Sequence, residues 1–379
     1  MSNYNFDELF DRKNSDSIRW NKYDQSVIPL WVADMDFKSP PCVIDALKKR
    51  IDHGIFGYSK EPDNFTLKIS QYLKQQYDWD VDPAWIVIIP SVVSALYATA
   101  NNCLEANEHI LVPRPVYHHL RVAAEKSNRL FTEVGLEILH NRLTLTQNSL
   151  IHGLKNNSRV LFFCNPHNPG GTVYTRDELE KIVNIAYKND LIICSDEIHA
   201  GMVFTGKKHI PVASISNEAA DRTITLMSLN KTFNFPGAGL AWMICKDNKL
   251  RHQVTKDIGT LIPETQIFGY VSTLKAIEEG DEWRRALINY LESNKAFLQE
   301  ELDRMDGLKL YDIEASYLGW INCESLPTKD PHKLFLEHGV ALQPGYMFNQ
   351  DKHLRINFGV PKKLLKEALN RMKEAVNDV

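Results

Sequence analysis

The stretch Thr223-Ile-Thr-Leu-Met-Ser-Leu-Asn-Lys231-Thr-Phe-Asn-Phe-Pro-Gly237 decides how the chain is read. Thr223 to Leu226 is a short β-branched and apolar run, the pattern of a strand buried on both faces. Ser228 closes it, and Lys231 follows in a polar turn, with Phe233 and Phe235 beyond it. A lone lysine is ordinarily a solvated surface residue, because its charge resists burial. A lysine just past the carboxyl end of a buried strand can instead reach the crevice where open α/β sheets bind their ligands.

Outward from this strand the same punctuation recurs. Apolar runs near residues 86, 110, 131, 160, 191, 224 and 241 alternate with stretches of helical period. That alternation predicts an α/β fold with a seven-stranded, mostly parallel sheet. Ser39-Pro-Pro41 places proline at the start of a helix over 43–51. A helix is expected over 65–77 and another from Val92, and Thr175-Arg-Asp-Glu178 has the form of a capping box. A long amphipathic helix over 287–305 carries an apolar stripe from Leu287 to Met305 and leads into a smaller C-terminal α/β domain with strands near 339–342 and 353–358. The expected division is an arm and part of the small domain in 1–45, a large domain in 46–285, and the small domain in 286–379. Asp34 and Asp36 lie in the apolar stretch 29–37 of that arm, where the plain reading makes them caps on a packed segment.

Composition narrows the function classes. A chain of 379 residues with 44% hydrophobic content can bury a substantial core without disulfides or metal. A net charge of -4 offers no basic footprint for nucleic acid. No apolar run approaches a membrane span, and the polar N-terminal segment has no secretory core, so no membrane partner and a cytoplasmic location are expected. The cysteines at 42, 103, 164, 194, 245 and 323 form no CxxC pair. Cys164, Cys194 and Cys245 read as buried free thiols. Adjacent His118 and His119 cannot point together at one ion from a regular element, so no metal site is expected.

The polar residues that remain collect at the carboxyl ends of the strands. Pro90-Ser91 followed by Val92 and Val93 makes a strand–turn–helix junction whose N–H groups suit a phosphate. Tyr117 ends the 109–113 strand, Asn168 sits in the tight loop Asn165-Pro-His-Asn-Pro-Gly-Gly171, and Asp196 with His199 follows the 191–194 strand. Ser228 and Lys231 complete the set. Lysine for a Schiff base, an acid for a pyridine nitrogen, a phosphate cradle, an aromatic face and a hydrogen-bond donor are the parts of a pyridoxal 5'-phosphate site.

On these residues the chain resembles the fold-type I pyridoxal phosphate enzymes, and within them the MalY/PatB group of cystathionine β-lyase-like carbon–sulfur lyases. The resemblance rests on WVADMDF (31–37), HGIFGY (53–58), PVY (115–117), CNPHNP (164–169), SDEIHA (195–200), NKTFN (230–234) and LRINFG (354–359), in that order along nearly the whole chain. It implies that Lys231 carries the cofactor, that Asp196 pairs with the pyridine nitrogen, and that Asn168 and His199 hydrogen-bond the ring hydroxyl. It implies that Tyr117 stacks on the ring and that the backbone at Ser91, Val92 and Val93, with Ser228, holds the phosphate. It further implies a homodimer in which Tyr58 reaches the neighbouring subunit's phosphate, and an Arg355 that grips the substrate carboxylate. Tyr117 and Tyr58 would also line the substrate site. The implied substrate is a small amino acid thioether such as cystathionine, cleaved to thiol, pyruvate and ammonia within sulfur amino acid metabolism.

Three positions depart from that group: Ser91 and Gly170 replace its usual glycine and threonine, and Asn230 precedes the lysine where a small hydroxyl residue is common. Gly239 stands eight residues after the lysine, where class I aminotransferases often place arginine, and this favours the lyases. An aminotransferase, and a regulatory or binding protein with incidental lyase activity, are the alternatives.

Overall fold

The computed structural model describes residues 4–379. Seven strands form the larger sheet, in the spatial order Ile86–Ile89, Ala241–Ile244, Thr223–Met227, Ile192–Asp196, Ser158–Cys164, His109–Arg114 and Leu130–Gly135. Only Ala241–Ile244 runs antiparallel to its neighbours. The sheet is buried on both faces, so its strands read as continuous apolar runs rather than as alternations. Along Ser158–Cys164, Val160, Phe162 and Cys164 enter one core layer, while Leu161 and Phe163 enter the other. Burying such a side chain contributes about 1.5–3 kcal/mol.

The helices that cover the sheet begin where the sequence marks them. Ser91 caps the helix Val92–Asn102, its hydroxyl accepting from the Ser94 N–H at 3.1 Å. The capping box at Thr175 and Glu178 forms as expected and starts Arg176–Lys188. Pro41 opens Pro41–Asp52, whereas the Ser39 hydroxyl donates to the Asn234 carbonyl instead of capping that helix. The long amphipathic helix runs Asp281–Leu302, six residues earlier at its start than its apolar stripe indicates, because Asp281 and Glu282 supply a favourable acidic first turn.

The second sheet has the order Ile28–Leu30, Val340–Pro344, His353–Asn357, Leu318–Asn322 and Lys309–Leu310. Its first strand comes from the N-terminal segment and pairs parallel with Val340–Pro344. Three residues are too few to show a strand period, so this strand was not legible in the sequence. The chain between Leu30 and Pro41 thus runs from the small sheet to the first helix of the large one and lies across the cleft between them.

Asp34 and Asp36 are not helix caps. Asp34 meets Arg12 at 3.0 Å and Asp36 meets Arg12 at 2.7 Å, while the fully buried Arg19 lies 3.5 Å from each carboxylate. Buried charge needs a partner, and two arginines of the arm provide it. All six cysteines are free, and five of them are buried. Among the described residues no helix is long and apolar enough to cross a membrane, and no cluster of three or more histidine, cysteine or acidic side chains could hold a metal.

Candidate active site

The strand ends at one edge of the large sheet and the strand His353–Asn357 of the small sheet face each other across the cleft. Asp196 is the last residue of its strand and is 3% exposed. One of its carboxylate oxygens accepts from the Ile198 N–H at 3.2 Å. Desolvation raises its pKa to about 7; the nearby Glu197 adds to the rise, while the Ile198 N–H and the Lys231 charge oppose it. A buried acid in this state has much to gain from a cationic partner.

Lys231 lies in the turn after Thr223–Met227, and its Nζ donates to the Ala33 carbonyl at 2.7 Å. One side of the residue keeps partial exposure, yet desolvation dominates and brings its pKa down to about 8. Asp34 and Asp196 resist that fall and Arg355 assists it. An amine titrating near neutrality is available as a base or nucleophile.

Arg355 is 4% exposed and sits in the middle of His353–Asn357. Its Nη1 donates to Asn168 Oδ1 at 3.1 Å and its Nη2 to the Trp31 carbonyl at 2.9 Å. The guanidinium lies 5.3 Å from the Phe348 ring centre, and its Nε has no protein partner. Burial draws its pKa down to about 10, leaving it cationic at neutral pH. The same Asn168 accepts the Tyr117 N–H at its carbonyl, 2.9 Å away, so Arg355, Asn168 and Tyr117 form one contiguous wall.

Tyr117 is half-buried, and desolvation lifts its phenol to about 12. His167 ties the loop it shares with Asn168 to the loop before Tyr117: Nε2 meets the Pro115 carbonyl at 3.0 Å and Nδ1 accepts from the Gly170 N–H at 3.2 Å. A Cβ on Gly170 would stand 2.9 Å from His167 Nδ1 and 3.0 Å from Leu143 Cβ, which is the physical reason for glycine there. His199 is buried, its pKa falls to about 3 through desolvation, and its Nδ1 has no protein partner.

At the other end of the cleft, Val92 and Val93 occupy the first helical turn, whose N–H groups have no partner within the helix. Ser91 has an extended φ of -161°, which any residue adopts, so glycine is not required. Its hydroxyl caps the helix and touches Ser94 Oγ at 2.8 Å. The Ser228 hydroxyl donates to the Leu240 carbonyl at 2.5 Å and accepts from the Asn230 N–H at 3.2 Å, which shapes the turn into Lys231. Asn230 Oδ1 is buried without a partner. Tyr58 alone is not brought into the cleft of its own chain: it is fully exposed, and with Phe56 it lines a surface hollow closed by residues 264–268.

These features match a known family. The description "Aminotransferase class I and II" fits residues 25–372. The chain belongs to that family. Among curated relatives of this aminotransferase-family chain is the cystathionine beta-lyase PatB of Bacillus subtilis strain 168, 30% identical over 98% of this chain and 100% of that protein. The crystal structure of OvoB superposes with a TM-score of 0.96 at 36% identity, covering 99% of this chain and 100% of the other. Cystalysin from Treponema denticola, whose crystal structure contains pyridoxal 5'-phosphate, superposes with a TM-score of 0.93 at 30% identity over 99% of each chain.

Several residues of this family member's cleft escaped the sequence reading. Tyr317, fully buried, donates its hydroxyl to the Ala33 carbonyl at 3.0 Å. Asn357 and Asn234 both bond the main chain of residues 32–37. Asn357 shares the strand face of Arg355 by its spacing of two, and Asn234 lies within the quoted 230–234 motif, so both had a signal. Tyr317 sits in an apolar run and had none.

Proposed function

We propose that the protein is a pyridoxal 5'-phosphate-dependent carbon–sulfur β-lyase acting on cystathionine or a related cysteine thioether, to give a thiol, pyruvate and ammonia. The full-length likeness to a relative named cystathionine β-lyase carries this reading. The cleft supports it. Unpartnered His199 Nδ1, the first-turn N–H groups at Val92 and Val93, buried Asp196 and the desolvated amine of Lys231 fit the cofactor's hydroxyl, phosphate, pyridine nitrogen and aldehyde.

When bound, pyridoxal 5'-phosphate would supply a conjugated electron sink for the electron pair left when the substrate's Cα–H bond breaks. Asp196 would hold a proton on the pyridine nitrogen, since its buried carboxylate would be stabilised by the opposite charge. Asn168 and His199 would hydrogen-bond the ring hydroxyl, and Tyr117 would offer the ring an aromatic neighbour. Val92 and Val93, at the positive end of their helix, take the phosphate, and Ser228 acts by shaping the adjoining turn. Arg355 grips the α-carboxylate and orients the α-proton toward Lys231. The Lys231 amine, titrating near 8, removes that proton, and the thiolate leaves from Cβ.

In this reading 46–285 is the cofactor-binding lobe, and 1–45 joins 286–379 in the smaller one. The exposed Tyr58, which lines a surface hollow with Phe56, Ile267 and Phe268, serves a second copy in a homodimer. The location is cytoplasmic and the setting is sulfur amino acid or methionine metabolism. The family's own name supports one rival, an aminotransferase that returns the proton to the cofactor instead of expelling sulfur. Gly239 opposes it: its φ of +43° is one that L side chains rarely adopt, and no arginine stands at that position. Steady-state assays decide between them. Equal release of thiol and pyruvate from L-cystathionine is expected, without a keto-acid co-substrate; strict dependence on a keto acid would establish the rival.

A further inference from the structure

The segment Trp31-Val-Ala-Asp-Met-Asp-Phe37 crosses the cleft with little regular structure of its own, and side chains take up its carbonyls. Arg355 Nη2 holds Trp31 at 2.9 Å, and Asn357 Nδ2 holds Val32 and Asp34 at 2.6 Å each. Asn234 Nδ2 holds Met35 at 2.9 Å and Phe37 at 2.6 Å. Between them, the Ala33 carbonyl accepts from Lys231 Nζ at 2.7 Å and from the Tyr317 hydroxyl at 3.0 Å. A carbonyl oxygen has two lone pairs, and here two side chains occupy both.

We infer that the Ala33 carbonyl is the docking point for the Lys231 amine whenever that amine is not covalently engaged, and that Asn357 and Tyr317 are positioning residues that set the strength of this contact. The inference rests on Lys231 being the cofactor lysine. Asn357 grips the peptide groups on both sides of Ala33, so it fixes the direction in which the carbonyl points. Tyr317 draws electron density from the same oxygen as the lysine, so each donor weakens the other's bond. Docking confines a long, flexible side chain close to where the α-proton must be removed, which a free rotamer would not do.

The two residues therefore act in opposite directions on Lys231. A carbonyl acceptor favours the charged amine, which raises its pKa. Removing the competing hydroxyl strengthens that effect; releasing the peptide weakens it. The other groups facing the amine are Asp34 on the crossing segment, Asp196 at the strand end, Arg355 on the small sheet and the neutral His199. Tyr317→Phe leaves these in place, whereas Asn357→Ala also releases the Asp34 carbonyl, which weakens the hold on that charge in the same direction.

The test uses the full-length protein stripped of cofactor and labelled competitively with acetic anhydride from about pH 6 to 11, a range that spans lysine titration. The Lys231 peptide is read by mass spectrometry. Tyr317→Phe, which keeps the ring, is expected to raise the labelling midpoint by about 0.5 in pH, and Asn357→Ala to lower it by about as much. A purely structural role would alter stability without separating the midpoints in opposite directions. An unmoved or lowered midpoint in Tyr317→Phe overturns the inference, even where Asn357→Ala fails to fold. In parallel, pyridoxal 5'-phosphate is added and trapped with borohydride. Trapping at a residue other than Lys231 overturns the assignment of the cofactor lysine; trapping at Lys231 with an unmoved midpoint overturns the docking role alone.

Discussion

Arg355→Lys tests the substrate's anchor, because it keeps the charge and removes the fork. Guanidinium has five N–H donors. Asn168 Oδ1 and the Trp31 carbonyl take one each, at 3.1 and 2.9 Å, and the Nε–H is unpartnered. Three donors thus remain for a carboxylate, in a planar array that suits both of its oxygens. A lysine ammonium has three donors in all. If it satisfies Asn168 and Trp31, one is left, and the substrate loses at least one charge-assisted hydrogen bond. Such a bond is worth about 1.5–3 kcal/mol, and each 1.36 kcal/mol is a factor of ten, so kcat/KM for L-cystathionine should fall about 10- to 150-fold. Most of the loss should appear in KM. The assay is pyruvate release under steady-state conditions, repeated with a decarboxylated analogue against which discrimination should shrink by a similar factor. Visible absorbance of the lysine-bound cofactor should survive, since Arg355 does not hold it in this scheme. A kcat/KM within about twofold of the parent would place the carboxylate's anchor elsewhere. Loss of cofactor or of folding, with discrimination unchanged, would make Arg355 a structural residue.

Asp196→Asn keeps the shape and removes the charge that holds the pyridine nitrogen protonated; cofactor content should stay measurable while single-turnover α-proton exchange slows by about a hundredfold or more, and an unchanged rate would move the acid elsewhere. Tyr58→Phe and Lys231→Ala subunits, each with low activity alone, should form hybrids that regain one site with both native residues; hybrids that form without any recovery would refute a site shared between subunits. Gly170→Ala forces a Cβ to 2.9 Å from His167 Nδ1 and 3.0 Å from Leu143 Cβ, and should cost about 1–3 kcal/mol of stability in urea unfolding. A midpoint unchanged by that substitution would show that the His167 loop yields freely.

The larger sheet was legible because burial on both faces writes each strand as an apolar run, and its helices because caps and prolines act over a few residues. The strand ends were legible for the same reason: Tyr117, Asn168, Asp196 and Lys231 each follow such a run directly. Motifs also carried Arg355, whose strand shows its period of two. The aspartates of the crossing segment were misread, since Asp34 and Asp36 find Arg12 and Arg19 across an irregular arm with no period to announce the pairing.

The amino-acid pattern alone shows the seven strands of the larger sheet, the polar residues that follow them, and that one of these is a lysine. Those are local matters, settled within a strand and the turn that follows it. It takes the folded chain to show that Ile28–Leu30 joins a sheet completed some 300 residues later, that Ala33 presents its carbonyl to Lys231, and that Tyr317 shares that oxygen. A main-chain carbonyl carries no residue identity, and Tyr317 and Lys231 are brought together only by the closing of one sheet over the other. No composition or spacing along the chain records such a contact.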